Sequence, residues 1–169
     1  MSAPADSSAE LTALDRRTVS SLLRGQRWAA LATIEDDGTP HASMVAYAAS
    51  RDLDAFLMHL SRLARHTRNL LRNPAASLVI SEPDRGGDDP QTLRRLTLHG
   101  HARAVPAGDA AYRELRAAYL VHLPRAAPRF DFPDFALFRF EPSSGLYVAG
   151  FGRALSLDAA ALHAAARAG

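Results

Sequence analysis

The sequence predicts a mainly β, α+β chain: a small antiparallel barrel of six to seven strands with flanking helices. Three observations predict it. Short turn sequences separate most of the apolar runs, so neighbouring strands run antiparallel. Residues Arg94 to Val105 alternate apolar and polar side chains along one long strand. Strands do not alternate regularly with helices and no G-x-G-x-x-G opens one, which disfavours a doubly wound nucleotide fold.

Each element has its own justification. Leu11, Leu14, Val19, Leu22 and Leu23 follow a 3.6 period, giving a helix over Ala9 to Gln26 that ends by Gly25. Arg27 to Glu35 carries the β-forming run WAALATI, and Asp36-Asp37-Gly38-Thr39-Pro40 turns the chain into a return strand, His41 to Ala49. On that strand His41, Ser43, Val45 and Tyr47 share one face, and Ala42, Met44, Ala46 and Ala48 the other. A third strand spans Ala55 to Leu60. A short helix rich in Arg, with His66, Thr67 and Asn69, follows and stops at Asn73-Pro74. A fourth strand covers Ala76 to Glu82, and the loop PDRGGDDP leads to the long strand. There Leu96, Leu98, Gly100, Ala102 and Ala104 face one way, and Arg95, Thr97, His99, His101 and Arg103 the other. Ala107 to His122 is an amphipathic helix. Phe135 to Glu141 is a strand, PSSG a hairpin turn and Leu146 to Ala149 the strand after it. Ser156 is expected to cap a last helix, Leu157 to Arg167. The expected organisation is a disordered lead over residues 1–8, one domain over 9–155 and a C-terminal helix over 156–169.

Composition narrows the chemistry. The chain has no Cys, which removes thiol nucleophiles, disulfides and Cys-ligated metals. It also has no Lys, so all twenty basic residues are Arg; Schiff-base chemistry and a lysine-type P-loop are excluded. A formal net charge of +2 gives no argument for nucleic acid. The first residues have neither a cationic start nor an apolar central run, and no run is long enough to span a membrane, so the expectation is a cytoplasmic protein.

The segment from Ser61 to Arg72 is the candidate site. Cationic and hydroxyl side chains at a strand-to-helix junction, with the free N–H groups of a first helical turn, form an anion site. Arg adds a fork that matches phosphate oxygens. The same residues also read as a solvated helix face. Arg65, His66 and Thr67 are adjacent and span about 200° of helix, so they cannot all point at one atom. His99 and His101 project from one strand face as a metal pair would, but no third ligand can be placed, and no metal site is expected.

Four pieces in order carry a resemblance: the WAALATI–DDGTP–HASMVAYA hairpin, S-x-L-x-x-H-T-x-N-L-x-x-NP-x-x-S-L from Ser61, RLTLHGHARAVP from Arg95, and YVAGFGRA from Tyr147. With them the chain resembles the pyridoxamine 5′-phosphate oxidase-like FMN-binding split-barrel family over about Leu22 to Leu155. The HTRNL and GFGRA pieces look most like the branch of haem-utilisation (HugZ-like) proteins. The resemblance implies a homodimer with FMN at the subunit interface. It implies that Ser43, Met44 and Val45 lie along the flavin, and that Leu60 and Ser61 offer backbone and hydroxyl. It further implies that Arg65, His66 and Thr67 hold the phosphate, that Arg95 reaches the flavin, and that Phe151 and Arg153 approach the flavin of the other subunit. The implied activity is FMN-dependent oxidoreduction of an unidentified small molecule. Alternatives are a haem-binding or haem-degrading protein, with His163 or His59 on the iron, and a non-catalytic flavin module. The basic C-terminal clamp of the oxidase proper has no counterpart, and the second small domain of the longer haem-utilisation relatives is expected to be missing.

Overall fold

The computed structural model describes residues 11–87 and 89–168; the expected lead, and Asp88 of the glycine-rich loop, lie outside them. The elements are α1 (Ala13–Gly25), β1 (Trp28–Ile34), β2 (Pro40–Ala46), β3 (Ala48–Ala49), β4 (Phe56–Ser61), α2 (Arg65–Arg72), β5 (Ala75–Ser81), β6 (Arg95–Ala104), α3 (Tyr112–His122), β7 (Phe135–Val148), β8 (Ala154–Asp158) and α4 (Ala159–Ala166). Short 3-10 turns occupy Pro90–Thr92 and Pro124–Asp131.

Every strand pair is antiparallel, in the order β2-β1-β5-β6-β7-β4-β3, with β8 added to β7. β2 and β3 are two halves of one strand bent at Tyr47. The first half pairs with β1 and the second with β4, so the sheet closes on itself as a six-stranded barrel with β8 as a seventh strand. The bend is held from both sides: the Tyr47 amide donates to the Arg27 carbonyl at 3.1 Å, and its hydroxyl donates to the Leu23 carbonyl at 2.8 Å. Burial in the core pushes that phenol's pKa up.

Alternation decides what fills the barrel. Leu31, Val45, Phe56, Met58, Leu78, Leu96, Leu98, Phe138 and Phe140 point inward with Leu22 and Leu23 of α1. Leu57 and Leu137 point outward, where Tyr119 and Ala126 cover them in a second, smaller cluster. α1 opens with a reciprocal capping box between Thr12 and Asp15 and packs on α4. α2 lies against β1, where the Asn69 amide donates to the Thr33 hydroxyl at 3.1 Å and Leu70 enters the core.

Two expectations fail here. PSSG is not a turn: β7 runs unbroken for 14 residues through Pro142, Ser143, Ser144 and Gly145. The register slips at this point, with His99 opposite Ser144 and Gly100 opposite Pro142, so Ser143 is the extra residue of a bulge. The two strands approach so closely that a Cβ on Gly100 would lie 2.1 Å from the Glu141 carbonyl oxygen. Ser156 and Leu157 belong to β8 rather than to the last helix, because Leu155 and Leu157 are drawn into the core along β7. Asp158 caps α4 instead, accepting from the Ala161 amide at 2.8 Å. No described helix is long and apolar enough to cross a membrane.

Candidate functional site

The strand-to-helix junction assembles part of the expected anion site. β4 ends with Leu60 in the core and Ser61 at the rim. The Ser61 hydroxyl donates to Asp134 at 2.7 Å and accepts from the Leu63 amide at 3.2 Å, so it clamps the loop before α2. Ala64 holds the cap position without a side-chain bond, and no acid lies in the first turn of α2. The N–H groups there are left without a side-chain acceptor, and the helix dipole adds a positive field. His66 Nδ1 lies 2.9 Å from the Ser43 hydroxyl. Burial, and then the neighbouring His41, push the His66 imidazole pKa down, which favours its neutral form.

Two of the three arginines of this helix are paired. Arg65 donates to Glu35 at 2.7 Å, and Arg72 pairs with Asp36; both acids stand in the β1–β2 hairpin. Glu35, Asp36 and Asp37 share a hollow of about 370 Å³ with Arg65, Arg68 and Arg72. Thr67 is fully buried and its hydroxyl has no hydrogen-bond partner. Of Ser43, Met44 and Val45, only Ser43 reaches His66; Val45 is in the core, and Met44 points to the opposite, outer face.

Arg95, Phe151 and Arg153 lie elsewhere. Register places Arg95 beside Ser81 and Val148, towards the Trp28 end of β1, whereas α2 packs near Thr33. Five strand positions separate Thr33 from Trp28 by about 17 Å, so one chain does not bring the two groups together. Arg95 donates to the Gln91 and Leu93 carbonyls, each at 3.2 Å. Arg153 forms a two-pronged pair with the buried Asp15, both bonds 2.7 Å, and this guanidinium holds the carboxyl well below the usual carboxylate range. Phe151 is exposed.

Of the two histidines named as iron ligands, His59 is enclosed and His163 is half-buried. His59 is 8% exposed, with its ring stacked 3.8 Å from that of Phe130, and burial followed by Arg129 and Arg116 lowers its pKa to about 4. His163 borders a space of only about 70 Å³.

A second region emerges from the sheet register. Trp28, Ala30, Ala32 and Ile34 of β1 share an outer face with Ala42 and Met44 of β2, Ser77 and Val79 of β5, Thr97, His99 and His101 of β6, and Leu146 of β7. This face is uncovered: Trp28 is 56% exposed and Met44 48%. A groove of about 370 Å³ crosses it, lined by Ala32, Ile34, Ala75, Ala76, His99 and His101 among others. His99 Nδ1 lies 2.8 Å from the Ser77 hydroxyl, its cross-strand neighbour. Sequence reasoning found the His99–His101 pair but not the Ser77 partner or the apolar floor; the i, i+2 spacing beside a strand of small residues was the available signal. Among the described residues no three His, Cys, Asp or Glu gather as metal donors.

Comparison with known proteins adds to this geometry. The family described as pyridoxamine 5′-phosphate oxidase matches residues 16–149. The chloroplastic haem oxygenase HOZ of Arabidopsis thaliana is 38% identical over 140 residues, covering 80% of this chain but only 40% of the plant protein. The haem oxygenase HutZ of Vibrio cholerae is 29% identical over 136 residues, 76% of this chain and 72% of the relative. Among solved structures, a haem-binding protein from Mycobacterium smegmatis superposes with a TM-score of 0.79 at 27% identity, covering 97% of this chain and 62% of that one.

Proposed function

The chain belongs to the pyridoxamine 5′-phosphate oxidase family, and from that premise we propose that it is a haem-binding, haem-degrading domain acting as a homodimer. The observation that carries this reading is the 38% identity, across 80% of the chain, to a protein named as a haem oxygenase. The chain spans 40% of that relative's length, so the activity is carried over as a proposal.

The residues present fit such a ligand. A porphyrin needs a flat apolar surface, a nitrogen donor for the iron and cations for its carboxylates. The outer sheet face offers small apolar side chains, exposed imidazoles at His99 and His101, and Arg103 on the same side of β6. Haem would be the substrate, and its iron would supply the redox chemistry with dioxygen and an external reductant. The chain's own part is to bind and orient it, exclude water from one face and hold its carboxylates. An uncovered sheet face bearing Trp28, Ile34, Met44 and Leu146 also suits pairing with a second copy of the chain, which would close the groove from above.

A second reading is an FMN-dependent oxidoreductase or flavin-binding module. The uncapped start of α2, beside Arg65, His66 and Ser43, favours it. Against it stands Glu35, which already pairs Arg65, the arginine a flavin phosphate would use.

Absorption spectroscopy of the purified protein, incubated with hemin or with FMN, tests the proposal. The haem reading expects a saturable Soret band, lost on incubation with a reductant and oxygen. Saturable FMN binding with no Soret band would replace it with the flavin reading. Light scattering should give a dimer.

A further inference from the structure

Resting on the haem reading, we propose that His99 is the protein ligand of the haem iron, that Ser77 is its positioning residue, and that Arg103 receives a haem carboxylate. The seven histidines of the chain are not equivalent. His59 is sealed under Phe130 and Tyr119. His66 is likewise held through Nδ1 by a serine, Ser43, but it is half-buried between β2 and α2 and does not line the open groove, and His41 lies 3.6 Å from Glu35. His163 borders a space far too small for a macrocycle. His122 ends α3 and lines none of these spaces. Two remain on the open apolar groove, and only one of them is oriented.

That orientation is what an iron ligand requires. The Nδ1 of His99 is engaged by the Ser77 hydroxyl at 2.8 Å, so Nε2 is the nitrogen left for a metal. With iron on Nε2, the proton resides on Nδ1 and Ser77 accepts it. A ligating imidazole held through its other nitrogen has a fixed tautomer and ring direction. His101 sits between Ala75, which offers no side-chain partner, and Glu141, which is paired with Arg139, so its ring has no such restraint.

The surroundings complete the fit. The groove floor beside His99 is built from Ala32 and Ala75, which leave room for a planar ring. Arg103 lies four residues beyond His99 on the same strand face, whereas Arg95, on the other side, is turned to the Gln91 and Leu93 carbonyls. At about 3.3 Å per residue, the Arg103 Cα is about 13 Å from that of His99. An extended Arg103 side chain reaches back towards the ring edge from which the carboxylates leave.

Hemin titration of the full chain, followed in the Soret region, tests the assignment, with resonance Raman of the ferrous complex as a second readout. Wild type is expected to saturate and to show an iron–imidazole stretch. His99→Ala should lose about a hundredfold in affinity, lose that stretch, and regain the spectrum with added imidazole. Ser77→Ala should lose about tenfold and shift the stretch, while Ser77→Thr restores it. His101→Ala should leave the stretch in place. A wild-type spectrum and affinity in His99→Ala overturns the assignment while leaving the haem reading intact. Absence of any iron–imidazole stretch in the wild-type complex also overturns it. Failure of the wild-type chain to bind hemin at all overturns both.

Discussion

The α2 junction and the outer sheet face teach opposite lessons about where ligands bind. The junction holds the densest run of cations in the sequence, yet Glu35 and Asp36 neutralise two of its arginines from a hairpin about thirty residues upstream. The sheet face reads as small apolar residues with two isolated histidines, yet it remains open and presents a hydrogen-bonded imidazole. Charge density along a sequence does not give the field at a site; the partners that the fold brings to it do.

The sheet side of this comparison breaks most easily at Gly100. Gly100→Ala places a methyl group 2.1 Å from the Glu141 carbonyl and forces the bulged strands apart. A loss of about 3 kcal/mol or more in urea unfolding is expected, with loss of hemin binding before any effect at α2. Unchanged stability would mean that the β6–β7 contact relaxes freely.

The enclosed histidine sharpens the contrast through pH. The folded pKa of His59, about 4, lies below its ordinary value of 6.5. The unfolded chain therefore binds the extra proton first. Its contribution to stability is fully present above about pH 6.5 and is lost as pH falls through that value towards 4, on the order of 2–3 kcal/mol. His59→Leu should flatten this part of the wild-type curve in urea midpoints measured across that range. An unchanged slope would mean that His59 titrates freely and is as accessible as His99.

The smallest effect concerns the junction. Removing the negative charge of Glu35 by Glu35→Gln frees Arg65, which is more than half exposed. A gain of about fivefold in FMN or inorganic phosphate affinity, under about 1 kcal/mol, is expected by calorimetry. A loss would show that Glu35 positions the guanidinium rather than neutralising it.

Much of this architecture was legible, and the misses have physical causes. The faces of β6 emerged as read, because alternation on a half-buried strand is enforced by the core. PSSG and Ser156 misled because their local preferences for turn and cap were overridden by pairing along β7, which a window of sequence does not contain. In the candidate site, alternation put Ser43 on one face of β2, but its approach to His66 depends on how α2 packs against that strand, which the sequence did not show. The Arg153–Asp15 and Arg65–Glu35 pairs did not follow, since they join residues 138 and 30 positions apart.

The central claim, that the sheet face and not the α2 junction is the binding site, is tested most directly by hemin titration of three proteins side by side. Ala32→Glu places a carboxylate on the groove floor, and Arg65→Ala removes the leading cation of the junction. The account predicts that Ala32→Glu loses at least about tenfold in hemin affinity while Arg65→Ala matches wild type, since an unpaired charge pressed against an apolar ligand costs well over 1 kcal/mol. Wild-type affinity in Ala32→Glu, together with weakened binding in Arg65→Ala, would contradict it.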